Sequence, residues 1–571
     1  MRSIFSHIRL FTALMLFGVM LLSCQKEGPH HAQARPEQER EDVVNAWLSL
    51  NLNVVSSGAA TKASTEVNGG TNNGIDENAI KRLAIWLVPA EEGTEDWSEA
   101  IMTYVPQVSL GSGDEYVSSV RTKLNVPMNV YVGANISTDI ASAFLAGGPD
   151  AVYEAATTLY PDDYKSLVEE FASADRGVAM FCVKKASLTF KSANADKSTP
   201  AVIDEDSDGT PESVDLVRML AKVHLLFQCY DYPNEEFVQI TEPGSLTPAA
   251  FGAFGWSKLD DISYIVNTVN KSTRIIQPAY GNADYTIYED LNHSMTDLLQ
   301  KGLEWEYKSD DASGNFLGFA EDLSGDHDAA WAKWSAKPEI YEENKAPFGT
   351  CTDGTYVNGL YCLENTTDDS ELSSMTDDEK KYVPFMVATH VIVKARFVPR
   401  EINTVDGSGN LIEKNHGENG YDAALAALPE VEGVDENGNS HTYPAGTFFT
   451  RDMKEFYDYK GMLKLIELGS VPGLGRKNFA TYPGGYGFYY SYINGGKSPS
   501  TGQIEFRAPK AEDTENDYNS GVYRNHYHIL NCSLMKVPAT PGSFNQLMMV
   551  NSKVVDWNPK GALNLIVKPN V

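Results

Sequence analysis

The chain has 571 residues, 42% of them hydrophobic and 11% aromatic, and a formal net charge of −32. That length exceeds what one hydrophobic core usually supports, so two domains are expected, and the apolar content is ample for packed interiors. The acidic balance excludes nucleic acid as a partner, because displacing counterions from a phosphate backbone takes Lys and Arg.

Residues 1–23 read as an export signal: Arg2 and Arg9 supply positive charge, residues 10–22 form an apolar run too short to span a bilayer comfortably, and a polar tract follows. No later segment is long and apolar enough to cross a membrane, so any anchorage is by lipid. Residues 24–42 are polar and contain Pro36, the composition of a flexible tether. Residues 43–62 hold the clearest strand pattern in the chain. After Trp47, the residues Leu48, Leu50, Leu52 and Val54 alternate with Ser49, Asn51 and Asn53, which predicts a strand with one buried face. A loop of small and polar residues carrying Lys62 follows, an exposed tip of the kind proteases cut.

Residues 63–282 are expected to form the first domain. Apolar runs at 82–89, 126–135, 177–182 and 186–191, one long run at 214–227, and a last one at 262–278 predict strands bounded by turn residues. Tyr164, Leu167, Val168 and Phe171 recur with helical spacing and predict a short amphipathic helix; Leu291, Met295 and Leu298 suggest another. Residues 283–571 form the second domain, with insertions at about 283–380 that lack a clear period. Strand signals return at 388–399, 447–449, 486–493 and 523–534. Many short strands and few helices indicate a mainly β chain of two β-sandwich domains. The closing segment, about 547–571, holds Val555, Trp557, Leu563, Leu565 and Val567 in strand-like runs. A terminal strand with no evident partner in the preceding sheet invites one in another chain.

Other constellations carry less. Asp204, Asp206, Asp208 and Thr210, with Asp215 at the twelfth position, have the spacing of a calcium loop. The last ligand is shorter than the usual Glu and the following run reads as strand, so an acidic hairpin loop is favoured over a structural Ca2+ site; no other cofactor is indicated. Cys351 and Cys362 flank a turn-forming run and are the disulfide candidate, whereas Cys182, Cys229 and Cys532 lie in apolar runs as small buried hydrophobes. His526 and His528 share a strand face without a third metal ligand nearby. No HExxH, G-x-S-x-G, P-loop or dinucleotide fingerprint occurs, and the chain is read as not an enzyme.

Two resemblances join these segments. Leu21-Leu22-Ser23-Cys24 matches the lipobox of bacterial lipoproteins, which implies removal of residues 1–23 and acylation of Cys24. Further along, the strand before Lys62, Ile80-Lys81-Arg82-Leu83-Ala84-Ile85-Trp86, Val130-Tyr131-Val132 with Asn135, Arg218-Met219-Leu220-Ala221-Lys222, the run at 391–399, Tyr523-Arg524-Asn525-His526 and Val554-Val555-Asp556-Trp557 occur in the order of the fimbrillins of Bacteroidales bacteria. The chain resembles these type V pilins, most closely the structural subunit of the minor fimbrium.

The resemblance implies transthyretin-like sandwiches and assembly into a surface fimbrium that supports adhesion and biofilm formation. A precursor reaches the outer membrane as a lipoprotein, a protease removes the first strand, and the groove left behind accepts the terminal strand of the next subunit. Partners are then other copies of the chain, accessory fimbrial subunits and ligands on host or bacterial surfaces. The protease of the best-known members is arginine-specific, whereas here the basic residue just past the strand is Lys62. Arg40, the alternative, lies before the strand, and cutting there would remove only the tether. A tip adhesin, an anchor subunit or another glycan- or protein-binding surface lipoprotein is the alternative reading.

Overall fold

The computed structural model describes residues 42–54, 67–68, 71–72, 75–91, 93–109, 115–154, 169–204, 208–227, 237–238, 254–258, 261–267, 272–276, 346–347, 349–350, 359–366, 389–416, 420–493, 496–497, 504–505, 521–522, 524–534 and 549–558. The chain is mainly β, with short helices between sheets.

The first sheet has ten strands. It contains β1 (Val44–Val54), β2 (Leu83–Glu91), β3 (Ile101–Val105), β4 (Glu115–Thr122) and β5 (Pro127–Ala134). After the helix α1 (Thr138–Gly147) come β6 (Met180–Cys182), β7 (Ala186–Thr189), β8 (Ala201–Val202) and β9 (Ser213–Arg218). The order runs β8, β1, β9, β6, β5, β2 and the short strand Thr94–Glu95, with β4 on β1, β7 on β5 and β3 on β2. All of β2 except Glu91 is buried, so this continuous apolar run is covered on both faces, as such runs require. One cover is α1. Ser137 caps it by accepting from Ile140 N at 3.1 Å, and Phe144 meets Trp86 edge-on with ring centroids 4.8 Å apart.

The run at 214–227, expected as a single strand, is two strands in two sheets. β9 ends at Arg218, and β10 (Ala221–Phe227) lies parallel to β20 (His526–Leu534), which pairs antiparallel with β21 (Met549–Asn558). The switch takes a single peptide: Met219 N still donates to Ala179 O (2.8 Å), whereas Leu220 O already accepts from Asn525 N (2.7 Å). Sheet membership therefore changes at Met219–Leu220.

Between those strands lie β11 (Ile262–Asn267), β12 (Leu360–Cys362), β13 (His390–Arg396), β14 (Glu401–Val405), β15 (Leu411–Asn415), β16 (Phe448–Thr450), β17 (Phe456–Tyr457), β18 (Ala480–Tyr482) and β19 (Tyr486–Tyr492). β11, β13 and β19 make an antiparallel sheet, and β12 pairs with β10, so the stretch expected as insertions supplies a ladder strand. β14 to β18 form a third layer, on which α2 (Tyr459–Leu468) packs. The approach is close: a Cβ at Gly461 would stand 2.1 Å from Asn403 O. A continuous buried cluster runs through the sheets from Ala46 to Leu530. The helix expected around Tyr164 falls mostly outside the described residues, and that around Leu291 entirely so.

Candidate functional site

β1 is enclosed on both edges. Along one it pairs antiparallel with β4 through eight residue pairs, from Val44↔Thr122 to Asn51↔Glu115. Along the other it pairs parallel with β8 at Leu48 and Ser49, then with β9 from Asn51 to Val54. Ala46, Leu48, Leu50 and Leu52 are buried in the core, as their alternation predicts, while Trp47 and Val54 are half-buried. The other face is held by polar contacts. Ser49 Oγ donates to Glu115 Oε1 (2.7 Å), Asn53 Nδ2 donates to Asp215 Oδ1 (2.9 Å), and Lys197 Nζ stands 5.1 Å above the Trp47 ring. At its start, Lys123 Nζ bridges Asp42 and Glu99, each at 2.7 Å. An element so near one end of the sequence is thus an interior strand of its sheet.

Downstream of β1, the chain is pinned where the two sheets meet. Glu77 Oε1 accepts from Lys222 Nζ (2.7 Å) and Tyr361 Oη (2.5 Å), and all three residues are buried. Arg218 Nε donates to Glu77 O (3.1 Å), Nη2 to Asn78 Oδ1 (2.7 Å) and Nη1 to Asn525 Oδ1 (3.2 Å). Burial pushes Arg218 down to about 10, with Glu77 and Tyr361 pulling it back up; burial likewise lowers Lys222. Arg524 Nη2 donates to Thr273 Oγ1 (2.7 Å), to Arg274 O (2.8 Å) and to Glu364. Nearby, Asn135 takes a left-handed backbone (φ 57°) and its side chain ties four backbone groups: Oδ1 accepts from Lys81 N and Arg82 N, and Nδ2 donates to Ala79 O and Val178 O. This polar junction was not legible as a site. Its signal was Arg218 and Lys222 inside an apolar strand run, since charged residues enter such runs only when paired.

The remaining expected positions scatter. Cys24, Arg40, Lys62, Asp206, Cys351, Leu563, Leu565 and Val567 lie outside the described residues. The terminal strand does have a partner within its own chain: β21 ladders with β20 from Leu534↔Met549 to His526↔Asp556, including Tyr527↔Val555, and Trp557 pairs with Val67. Residues 549–558 are therefore paired within their own chain. Cys362 is a free buried thiol, and Cys182 is another, pushed up to about 12 by burial.

In the acidic loop, Asp204 accepts from Asp208 N and Gly209 N (both 3.1 Å), Asp208 caps Thr210 N (2.7 Å), and Asp215 serves β1. Among the described residues no three His, Cys, Asp or Glu side chains are grouped to hold a metal ion. His526 Nδ1 lies 2.8 Å from Arg524 O. No helix among the described residues is long and apolar enough to cross a membrane.

No family model and no curated protein matches the sequence. Among solved structures, the chain is similar over 90% of its length to the whole of a protein from Parabacteroides distasonis ATCC 8503 described as a cell adhesion protein, at 10% identity and a TM-score of 0.41. A second so described from that organism (13% identity, TM-score 0.36) and a fimbrilin from Porphyromonas gingivalis W83 (11%, 0.37) each align over 90% of this chain and 98% of their own. These TM-scores fall below the level at which a shared fold is established.

Proposed function

We propose that this chain is a non-enzymatic structural subunit of a surface fimbrium, matured by loss of β1 and polymerised by strand exchange. In this reading Cys24 carries lipid on the precursor, cleavage follows Lys62, and a neighbouring copy fills the slot that β1 leaves. The division into an amino-terminal unit (63–282) and a carboxy-terminal unit (283–571) belongs to the same reading. Cell-surface attachment, adhesion and biofilm support, and accessory subunits that start or cap the filament belong to the same reading.

The observation that carries it is the placement of β1, an interior strand laddered on both edges that is joined in sequence to the next strand of its sheet, β2, through residues 55–82. Burying its three core leucines is worth about 5–9 kcal/mol, at roughly 1.5–3 kcal/mol per side chain. Taking β1 out strands that apolar groove together with the ladder groups of β4 and β9, and an incoming strand repairs both at once. The junction at Glu77 supports the same sequence of events, because a cut at Lys62 frees β1 while the chain from Glu77 onward stays tied to both sheets. Since β21 is paired within its own chain, the donor is the segment beyond it, with Leu563, Leu565 and Val567 as its apolar face. Donation from each copy to the next does not close, so it yields a filament.

Reading the amino terminus of subunits in isolated fibres tests the scheme. A start at Ala63 is expected, and fibres whose subunits keep residues 44–54 would refute it.

A further inference from the structure

We infer that residues 559–569 of a second copy enter the slot with residue 559 in the place of Val44 and residue 569 in the place of Val54, and that Lys568 selects this register by pairing with Asp215. The inference rests on the strand-exchange reading above and adds to it the alignment and the residue that sets it.

Proline limits the choices first. β1 spans eleven residues, with β4 along one edge from Val44 to Asn51 and β8 and β9 along the other at Leu48–Ser49 and Asn51–Val54, so a proline inside the slot costs a ladder hydrogen bond wherever its N–H would face one of these strands. Residues 559–569 match that length, with Pro559 and Pro569 at the two ends and no proline between. The obvious alternative lines up the shared Leu-Asn-Leu of 563–565 with Leu50-Asn51-Leu52. It sets Pro559 at Ala46, opposite Val120 and inside the ladder with β4, and Gly561 in the pocket of Leu48. Shifting by two residues removes both faults. Gly561 then takes the tight place of Ala46, while Leu563, Leu565 and Val567 take those of Leu48, Leu50 and Leu52.

The opposite face agrees. Asp215 Oδ1 accepts from Asn53 Nδ2 at 2.9 Å, and the shifted register brings Lys568 to the place of Asn53, exchanging an amide for an ammonium beside that carboxylate. Asn564 takes the place of Ser49, whose Oγ serves Glu115 at 2.7 Å, and its amide can donate there instead. Lys560 falls opposite Arg121 at the exposed end of the slot, where like charges are screened by solvent. On the alternative register Lys568 would fall at Val55, past the end of β1. A lysine meeting a fixed carboxylate in a chain of net charge −32 is a selective contact, because most other segments of such a chain would bring no positive charge to it.

Charge reversal in the full-length chain, matured and assembled at low salt, tests this. K568D and D215K are each expected to lower fibre yield by about tenfold, and the K568D/D215K pair to recover it to within about twofold. Parental yield for K568D, or a pair no better than its members, would overturn the assignment. Melting of the uncut K568D precursor, whose slot β1 fills, is expected to match the parent.

A second measurement carries the test should D215K fail to fold. Residue 566 takes the place of Asn51, whose partner is Ser213, so I566C should form an interchain disulfide with S213C and not with D215C. The reverse result would sink the register alone. Unchanged fibres after deletion of residues 559–571 would sink the strand-exchange reading itself.

Discussion

Lys222 Nζ lies 2.7 Å from Glu77 Oε1, and both side chains are sealed from solvent where the two sheets meet. Breaking such a pair from one side leaves a buried charge without its counterion. E77Q is therefore expected to destabilise the precursor by about 3–5 kcal/mol, read as a drop in the urea midpoint with little change in slope. A paired E77L/K222M replacement should recover most of the loss. A midpoint for E77Q equal to the parent's would refute the role given to the junction.

Asn135 holds four backbone groups with one side chain in a left-handed conformation that few residues tolerate. N135A deprives buried N–H and C=O groups of partners and adds backbone strain. A loss of about 2–4 kcal/mol is expected. N135D keeps the acceptor and loses the donors, so hydrogen exchange at the Lys81 and Arg82 N–H groups should stay closer to the parent's in N135D than in N135A.

Glu95 gives a pH dependence of known sign. Burial pushes its pKa up, but hydrogen bonds from Lys185, Tyr131, Asn129 and Trp97 outweigh this and hold it below its ordinary 4.5. The folded form thus keeps its negative charge to lower pH than the unfolded chain does. Stability from this group is complete above the unfolded value and is lost as pH falls through the lower folded one. E95Q should be less stable than the parent at pH 7 and show a flatter decline in acid; parallel acid-denaturation curves would contradict the assignment.

Leu50 separates the precursor from the assembled state. L50A opens a cavity beneath β1 and should cost the uncut precursor about 2–5 kcal/mol. On the proposed assembly route β1 leaves before the fibre forms and residue 50 then contributes nothing, so mature fibres of L50A should melt with the parental ones. Destabilised fibres would mean that β1 stays in place after assembly.

How much of this was legible in the sequence depended on the range over which each feature is specified. β1 was readable because alternation from Leu48 to Val54 reports directly on a strand with one dry face, and all three leucines are buried. Its second neighbour was not, since the parallel pairing of Asn51–Val54 with β9 joins segments far apart in sequence and leaves no local mark. The break at Met219–Leu220 was invisible for a related reason. Apolar residues continue across it, and only the buried charges of Arg218 and Lys222 betray a change of sheet. β21 was read as lacking a partner although Pro541-Gly542 marks a turn between it and β20, because a connection of fourteen residues does not fix which strand it returns to; the two strands pair along most of their length. Asp215 fits the spacing of a calcium loop, yet its side chain faces Asn53, a relationship that exists only once β1 lies beside β9.

The two-sided pairing of β1 also determines how a strand in that slot responds to force. Hydrogen bonds to β4 on one edge and to β8 and β9 on the other run across the strand axis. Tension along the strand loads them together in shear, whereas a strand held along one edge can be peeled away pair by pair. In a fibre built through this slot, the pull of flow on a tethered cell would run along the joint's strongest direction. Its lifetime under load would then be governed by the rate of concerted rupture, a kinetic property that equilibrium affinity does not measure.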